Sequence, residues 1–207
     1  MLVAMLHATA DRGYVAATVA DVVARASVSR STFYGHFADK EACFVAAYEF
    51  AMDHVIEEMQ IANRSLPDDG WRSRLHSDLT TYLNALAADP VLATNLHVEV
   101  LAAGHEALEH RAELLGMLAI RIAHLNDVAR SEEPDLPEIP PAAFALYTGG
   151  LDELIRDRLR VGTPDDLRDL AQPVFDATSA LFGAPPPPGP AHAPLGEAGR
   201  AAAGSSE

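Results

Sequence analysis

Apolar positions along the chain recur with the three-to-four residue spacing of amphipathic helices, and Pro and Gly cut that pattern into segments. The spacing predicts helices over 1–12, 18–25, 29–36, 39–64, 70–88, 90–103, 105–129, 141–160 and 164–183. No sustained alternation of β-branched residues marks a strand, so the fold class expected is all-α. Breaks fall at Gly13, Ser27, Ala38, the stretch from Leu66 to Gly70, Asp89 before Pro90, Gly104, the Ser131 to Pro141 loop, and Gly162 to Pro164. From residue 184 onward, Pro185 to Pro188 and a Gly/Ala/Ser-rich remainder bury too little to offset ordering entropy, which predicts a disordered tail over 184–207.

The first forty residues carry three short helices whose starts are chemically specified. Thr18 is placed to cap the second, with Asp21 at the third position of its first turn; Ser29 caps the third; Asp39 caps the fourth, with Glu41 favouring its dipole. Val19, Val22, Val23, Val28, Phe33 and Phe37 turn one side of each helix inward as a small core. The opposite side of the third helix holds Arg30, Ser31, Thr32, Tyr34 and His36, donors and acceptors suited to base edges or phosphates, and Gly35 leaves room for close backbone approach.

Gly13, Tyr14, Thr18, Val19, Asp21 and Val22, then the run Val28 to Phe37, then Asp39, Lys40 and Glu41, resemble the DNA-binding domain of the TetR family. The resemblance covers about residues 1–50. It implies a DNA-binding domain over 1–48, with its helix-turn-helix at about 18–37, and a helical ligand-binding and dimerisation domain over 49–183. It further implies that Arg30, Ser31 and Thr32 face bases while Thr18, Tyr34, His36 and Lys40 hold phosphates. Arg30 matches the two acceptors of a guanine edge. Ser27 stands where the family usually has glycine, which adds a steric cost to a left-handed backbone. Ala8 and Thr9 replace the usual Leu and Phe, so a loosely packed first helix is expected. The family usually has a basic arm ahead of that helix, so either the natural start lies upstream of Met1 or those contacts are forgone.

The formal net charge of −15 at first argues against nucleic acid. Its distribution changes that picture. Residues 1–48 are neutral, with Arg12, Arg25, Arg30 and Lys40 against Asp11, Asp21, Asp39 and Glu41, and the entire excess of acid lies beyond them. An acidic second part is repelled by DNA and leaves only the N-terminal end in contact. Cys43 is the single cysteine, which excludes an intramolecular disulfide and a thiolate metal site and fits a cytoplasmic protein. No apolar stretch approaches about 18 residues, so no membrane association is expected.

Beyond residue 50 the resemblance is architectural. Gly149 and Gly150 inside the 141–160 segment cost about 1 kcal/mol each in helix propensity, which close approach of another helix justifies. With Leu146 and Leu154 beside them, and Val174, Phe175 and Thr178 on the last helix, these residues are read as a four-helix homodimer interface. The insides of the 50–129 helices supply pocket candidates for a small organic effector: Trp71, Tyr82, His97, Met117, Arg121 and His124.

Enzymatic chemistry finds little support. His105 and His110 lie five apart, so they point roughly 140° from each other on a helix and cannot reproduce the zinc-protease pair four apart. Gly-rich phosphate loops, nucleophile elbows and cofactor fingerprints are lacking as well, so no metal and no cofactor are expected. The function implied is a ligand-responsive transcriptional regulator, a repressor that binds a near-palindromic double-stranded DNA operator as a dimer. The alternative is a helical ligand-binding or interaction module without DNA binding.

Overall fold

The computed structural model describes residues 1–64 and 70–184; of the break expected at Leu66 to Gly70 only Gly70, and of the tail expected over 184–207 only the buried Ala184, lie within them. Nine α-helices run through the described residues: α1 (Leu2–Arg12), α2 (Val19–Ala26), α3 (Arg30–His36), α4 (Lys40–Arg64), α5 (Gly70–Ala88), α6 (Pro90–His97), α7 (His105–Glu132), α8 (Pro141–Val161) and α9 (Ala171–Leu181). Strands are absent from this part of the chain.

The helix starts follow their capping chemistry. Thr18 and Asp21 form a reciprocal capping box at α2, the Ser29 hydroxyl accepts from Thr32 N at 3.0 Å, and Asp39 accepts from Ala42 N at 2.9 Å. Asp89 does the same for α6, accepting from Leu92 N at 3.0 Å. Ser27, closing α2, has φ 54° and ψ 41°, the left-handed conformation that its non-glycine side chain makes costly.

Two predicted helices are each split by a tighter turn. The 90–103 segment ends as an α-helix at His97 and continues as a 3-10 turn over Glu99–Ala102, where Val100 is buried and Glu99 bends back to accept from Tyr14 N at 2.5 Å. The 164–183 segment opens as a 3-10 turn over Pro164–Leu170, and α9 starts at Ala171. Pro173 accounts for the restart, because its ring is tolerated in the first turn of a helix and clashes with the preceding turn in an interior.

Phe33, Phe44 and Tyr48 centre the N-terminal core, and Trp71, Leu75, Leu83, Leu86, Leu96, Ile155 and Phe182 fill the larger one. The two are continuous, because α1 packs on α6 as well as on α2 and α4. Ala8 and Thr9 are both buried, and Asn95 of α6 meets Thr9, while Ala8 lines a cleft beside α2. Ion pairs Arg12 to Asp21 and Arg25 to Asp11 also tie α1 to α2.

Candidate functional site

Helix α3 buries Phe33 completely, with Phe37 tilted against it at 5.6 Å, and its remaining side chains turn to solvent. Arg30, Ser31, Thr32, Tyr34, Gly35 and His36 are all exposed. A Cβ added at Gly35 meets nothing within 4 Å, so the helix backbone is open to a partner. Arg30 makes no ion pair among the described residues, and Tyr34 stands edge-on to Phe33 and is exposed. The Thr18 side chain is exposed but bonded to Asp21. Those bonds, with Arg12 nearby, hold the Asp21 carboxyl below its usual value.

Lys40 is placed differently from a simple surface cation. Its ammonium donates to Tyr14 O at 2.7 Å and Ala17 O at 3.1 Å, and lies 4.0 Å from the Tyr14 ring centre. It therefore clamps the loop before α2, and partial burial lowers its pKa. Burial, with Glu41 and Asp39 adding to it, pushes the Tyr14 phenol up to about 12.

An apolar slot of about 40 Å³ lies between α4, α5, α7 and α8, walled by Met59, Leu75, Leu79, Leu118, Ile122 and Leu151. Asp78, Tyr82, Arg121 and Thr148 are its polar groups. Arg121 pairs side-on with Asp78, Nε to Oδ2 at 3.0 Å and Nη2 to Oδ1 at 2.7 Å. Behind Tyr82 sits a buried polar network centred on His97 and Asp152. His97 Nδ1 lies 2.8 Å from Asp152 Oδ1 and its Nε2 lies 3.1 Å from the Tyr82 hydroxyl. An ionised carboxylate only accepts, so Nδ1 carries the hydrogen, and in the neutral ring Nε2 accepts from Tyr82. Arg111 and Arg156 both reach the second Asp152 oxygen. Burial alone raises the Asp152 carboxyl, but the His97 and Arg111 bonds and charges outweigh it and leave it below its usual value.

Of the pocket candidates, Tyr82 and Arg121 line the slot and His97 backs it. Trp71 is buried elsewhere, packed on Phe182 at 5.4 Å with its Nε1 donating to Glu133 at 2.9 Å. Met117 and His124 face solvent, a correction to their expected inward placement: Leu114, Ile122 and Leu125 supply the buried side of α7 in their stead. Met59, Asp78 and Thr148 complete the slot; Asp78 is an acid one helical turn before Tyr82, a spacing that could have drawn notice.

Comparison with known proteins bears on the helix-turn-helix first. Residues 2–47 match the family described as "Bacterial regulatory proteins, tetR family". Residues 2–47 thus carry a TetR-family DNA-binding domain. Its helix-turn-helix is the DNA-binding domain of that family's transcriptional regulators. The uncharacterised HTH-type transcriptional regulator YvdT of Bacillus subtilis is 25% identical over 117 residues, 55% of this chain and 54% of that one. The HTH-type transcriptional activator FasR of Mycolicibacterium smegmatis is 28% identical over 89 residues, 43% and 40% of the two chains. The matches thus span about half the length of these curated relatives or less. The TetR fold extends further: the crystal structure of FadR from Bacillus subtilis, in complex with stearoyl-CoA, superposes with TM-score 0.73 at 19% identity, over 86% of this chain and 95% of FadR.

The α8–α9 face is open. Leu146 is 78% exposed, Gly150 is exposed and Gly149 half-buried, and a Cβ at either glycine meets nothing within 4 Å. A groove of about 430 Å³ runs along it, with Gly150, Leu154, Pro173 and Ala177 on its walls and Val174 among its lining. Phe175 and Thr178 do not join this face, which corrects their expected place. Phe175 packs on His76 at 5.7 Å, and the Thr178 hydroxyl bonds to Tyr147 at 2.9 Å inside the subunit. The helix turns its smaller residues, Pro173, Ala177 and Ala180, toward the outer side.

Proposed function

We propose that this protein is a ligand-responsive transcriptional repressor that binds a near-palindromic operator as a homodimer and leaves it when a small organic effector fills the slot. The observation that carries the reading is α3, which buries Phe33 yet leaves Arg30, Ser31, Thr32, Tyr34, Gly35 and His36 exposed together. A helix of seven residues needs no such polar face for packing. In this proposal Arg30, Ser31 and Thr32 read bases, while Thr18, Tyr34, His36 and the remaining Lys40 donor hold phosphates. The α8–α9 face, with Leu146, Gly149, Gly150 and Leu154, pairs two subunits so that their α3 helices enter successive major grooves.

Effector binding reaches α3 through α6. The slot has about 40 Å³ of room, so an effector with an apolar portion, like the stearoyl-CoA in complex with FadR, has to part its walls. Tyr82, a slot wall, bonds to His97 on α6, and Asn95 two residues earlier bonds to Thr9 on α1. Moving Tyr82 therefore loads the joint on which the DNA-binding domain rests. Only a few kcal/mol of differential affinity between the two conformations is needed.

Footprinting of the DNA that flanks the protein's own gene tests the proposal. Two protected half-sites about one helical turn apart are expected. No protection at any concentration would leave a helical ligand-binding or interaction module, in keeping with the neutral N-terminal domain.

A further inference from the structure

The slot's one guanidinium is held in a way that leaves half of it idle. Asp78 occupies Nε and one hydrogen of Nη2 on Arg121, while Nη1 has no partner among the described residues. The two partners differ in access: the Asp78 side chain is 11% exposed and that of Arg121 38%. The carboxylate is thus the more buried of the two and fixes the guanidinium plane, while Arg121 is the partner open to solvent. From this geometry, and resting on the effector reading above, we infer that the slot takes an amphiphile with an anionic head, a carboxylate or a phosphate. The head accepts from the outer edge of Arg121, and the apolar tail lies among Leu75, Leu79, Leu118 and Ile122. Asp78 is the positioning residue for that contact.

The other head charges fit less well. A cation has to take the place of Arg121 and break both of its bonds to Asp78, whereas an anion adds to the pair without breaking either. A neutral head gains no charge-assisted bond. The acidic surface of the domain acts against anions at a distance, but salt screens it beyond about 8 Å at physiological ionic strength, so it slows capture more than it weakens the seat.

Calorimetric titration of the full chain with laurate, dodecyl phosphate, dodecanol and dodecylamine, each below its micellar concentration, tests this. At least one anion is expected to bind about tenfold more tightly than dodecanol, and which one does so identifies the head as carboxylate or phosphate. Arg121→Gln is expected to abolish that preference, with the far-UV circular dichroism spectrum checking that the variant is folded. Asp78→Asn reduces the anion-to-alcohol ratio without abolishing it, a readout that loss of packing alone does not move. Dodecanol or dodecylamine binding as tightly as both anions, or an anion preference that survives Arg121→Gln, overturns the head assignment and leaves the slot standing. Failure of all four to bind overturns the assignment together with the slot as effector site, with operator binding a separate matter.

Discussion

Thr9 and Asn95 bond side chain to side chain between α1 and α6, with Thr9 Oγ1 2.5 Å from Asn95 Oδ1. Both residues are fully buried, and the Asn95 amide also donates to Leu6 O and Val91 O at 2.8 Å each. Asn95 thereby links α1 to α6 through both polar atoms of its side chain. Thr9→Val keeps the shape and removes the hydroxyl, leaving Oδ1 buried without a donor. The expected loss is about 1–3 kcal/mol in a urea melt, together with a weaker effect of effector on DNA affinity. A wild-type urea midpoint in this variant would show that the contact contributes nothing.

Ser27 holds φ 54° at the turn between α2 and α3. Glycine has no Cβ to strain there, so Ser27→Gly is expected to raise stability by about 1 kcal/mol despite its larger unfolded-state entropy. Thermal unfolding followed by circular dichroism checks this, and a lowered midpoint would mean that the serine hydroxyl offsets the strain.

Lys40 and Arg30 separate scaffold from contact. Lys40→Met removes two bonds to loop carbonyls and is expected to lower the melting temperature as well as the affinity for all DNA sequences alike. Arg30→Ala touches no ion pair among the described residues and is expected to leave the melting temperature unchanged. Melting curves of the two variants side by side decide whether the division holds.

The Asp152 carboxyl lies below its usual value, so the folded state favours its ionised form. Its contribution to stability is complete above the ordinary carboxylate pKa of about 3.9 and is lost as pH falls through the depressed folded value. Chemical denaturation between neutral pH and pH 3 is expected to show a steeper acid loss for the wild type than for Asp152→Asn. Equal slopes would assign the acid sensitivity to other carboxylates.

The helix starts were legible because capping is local: Thr18, Ser29, Asp39 and Asp89 each lie within three residues of the N–H they serve. So was the outward face of α3, since Phe33 and Phe37 settle which side is buried. Asn95, Glu99 and Asp152 were not, because their partners lie far along the chain and no spacing rule connects Asn95 to Thr9 or Asp152 to His97. On α9 the apolar residues wrap more than one side, so periodicity could not say that Phe175 and Thr178 serve their own subunit while Pro173 and Ala177 line the open face. Helix α7 mixes exposed apolar residues such as Met117 and Ile120 with buried ones, which hid its inner stripe.

Fluorescence anisotropy of the operator duplex and a scrambled duplex, at two salt concentrations, with wild type, Arg30→Ala and Tyr34→Ala, tests the central claim most directly. The account predicts tight, salt-sensitive binding to the operator, about 1–3 kcal/mol lost with Arg30→Ala and much of its preference over the scrambled duplex lost with it, and weaker binding to both duplexes with Tyr34→Ala. Operator binding that is unchanged in both variants, or equal for the two duplexes in the wild type, contradicts α3 as the reading helix.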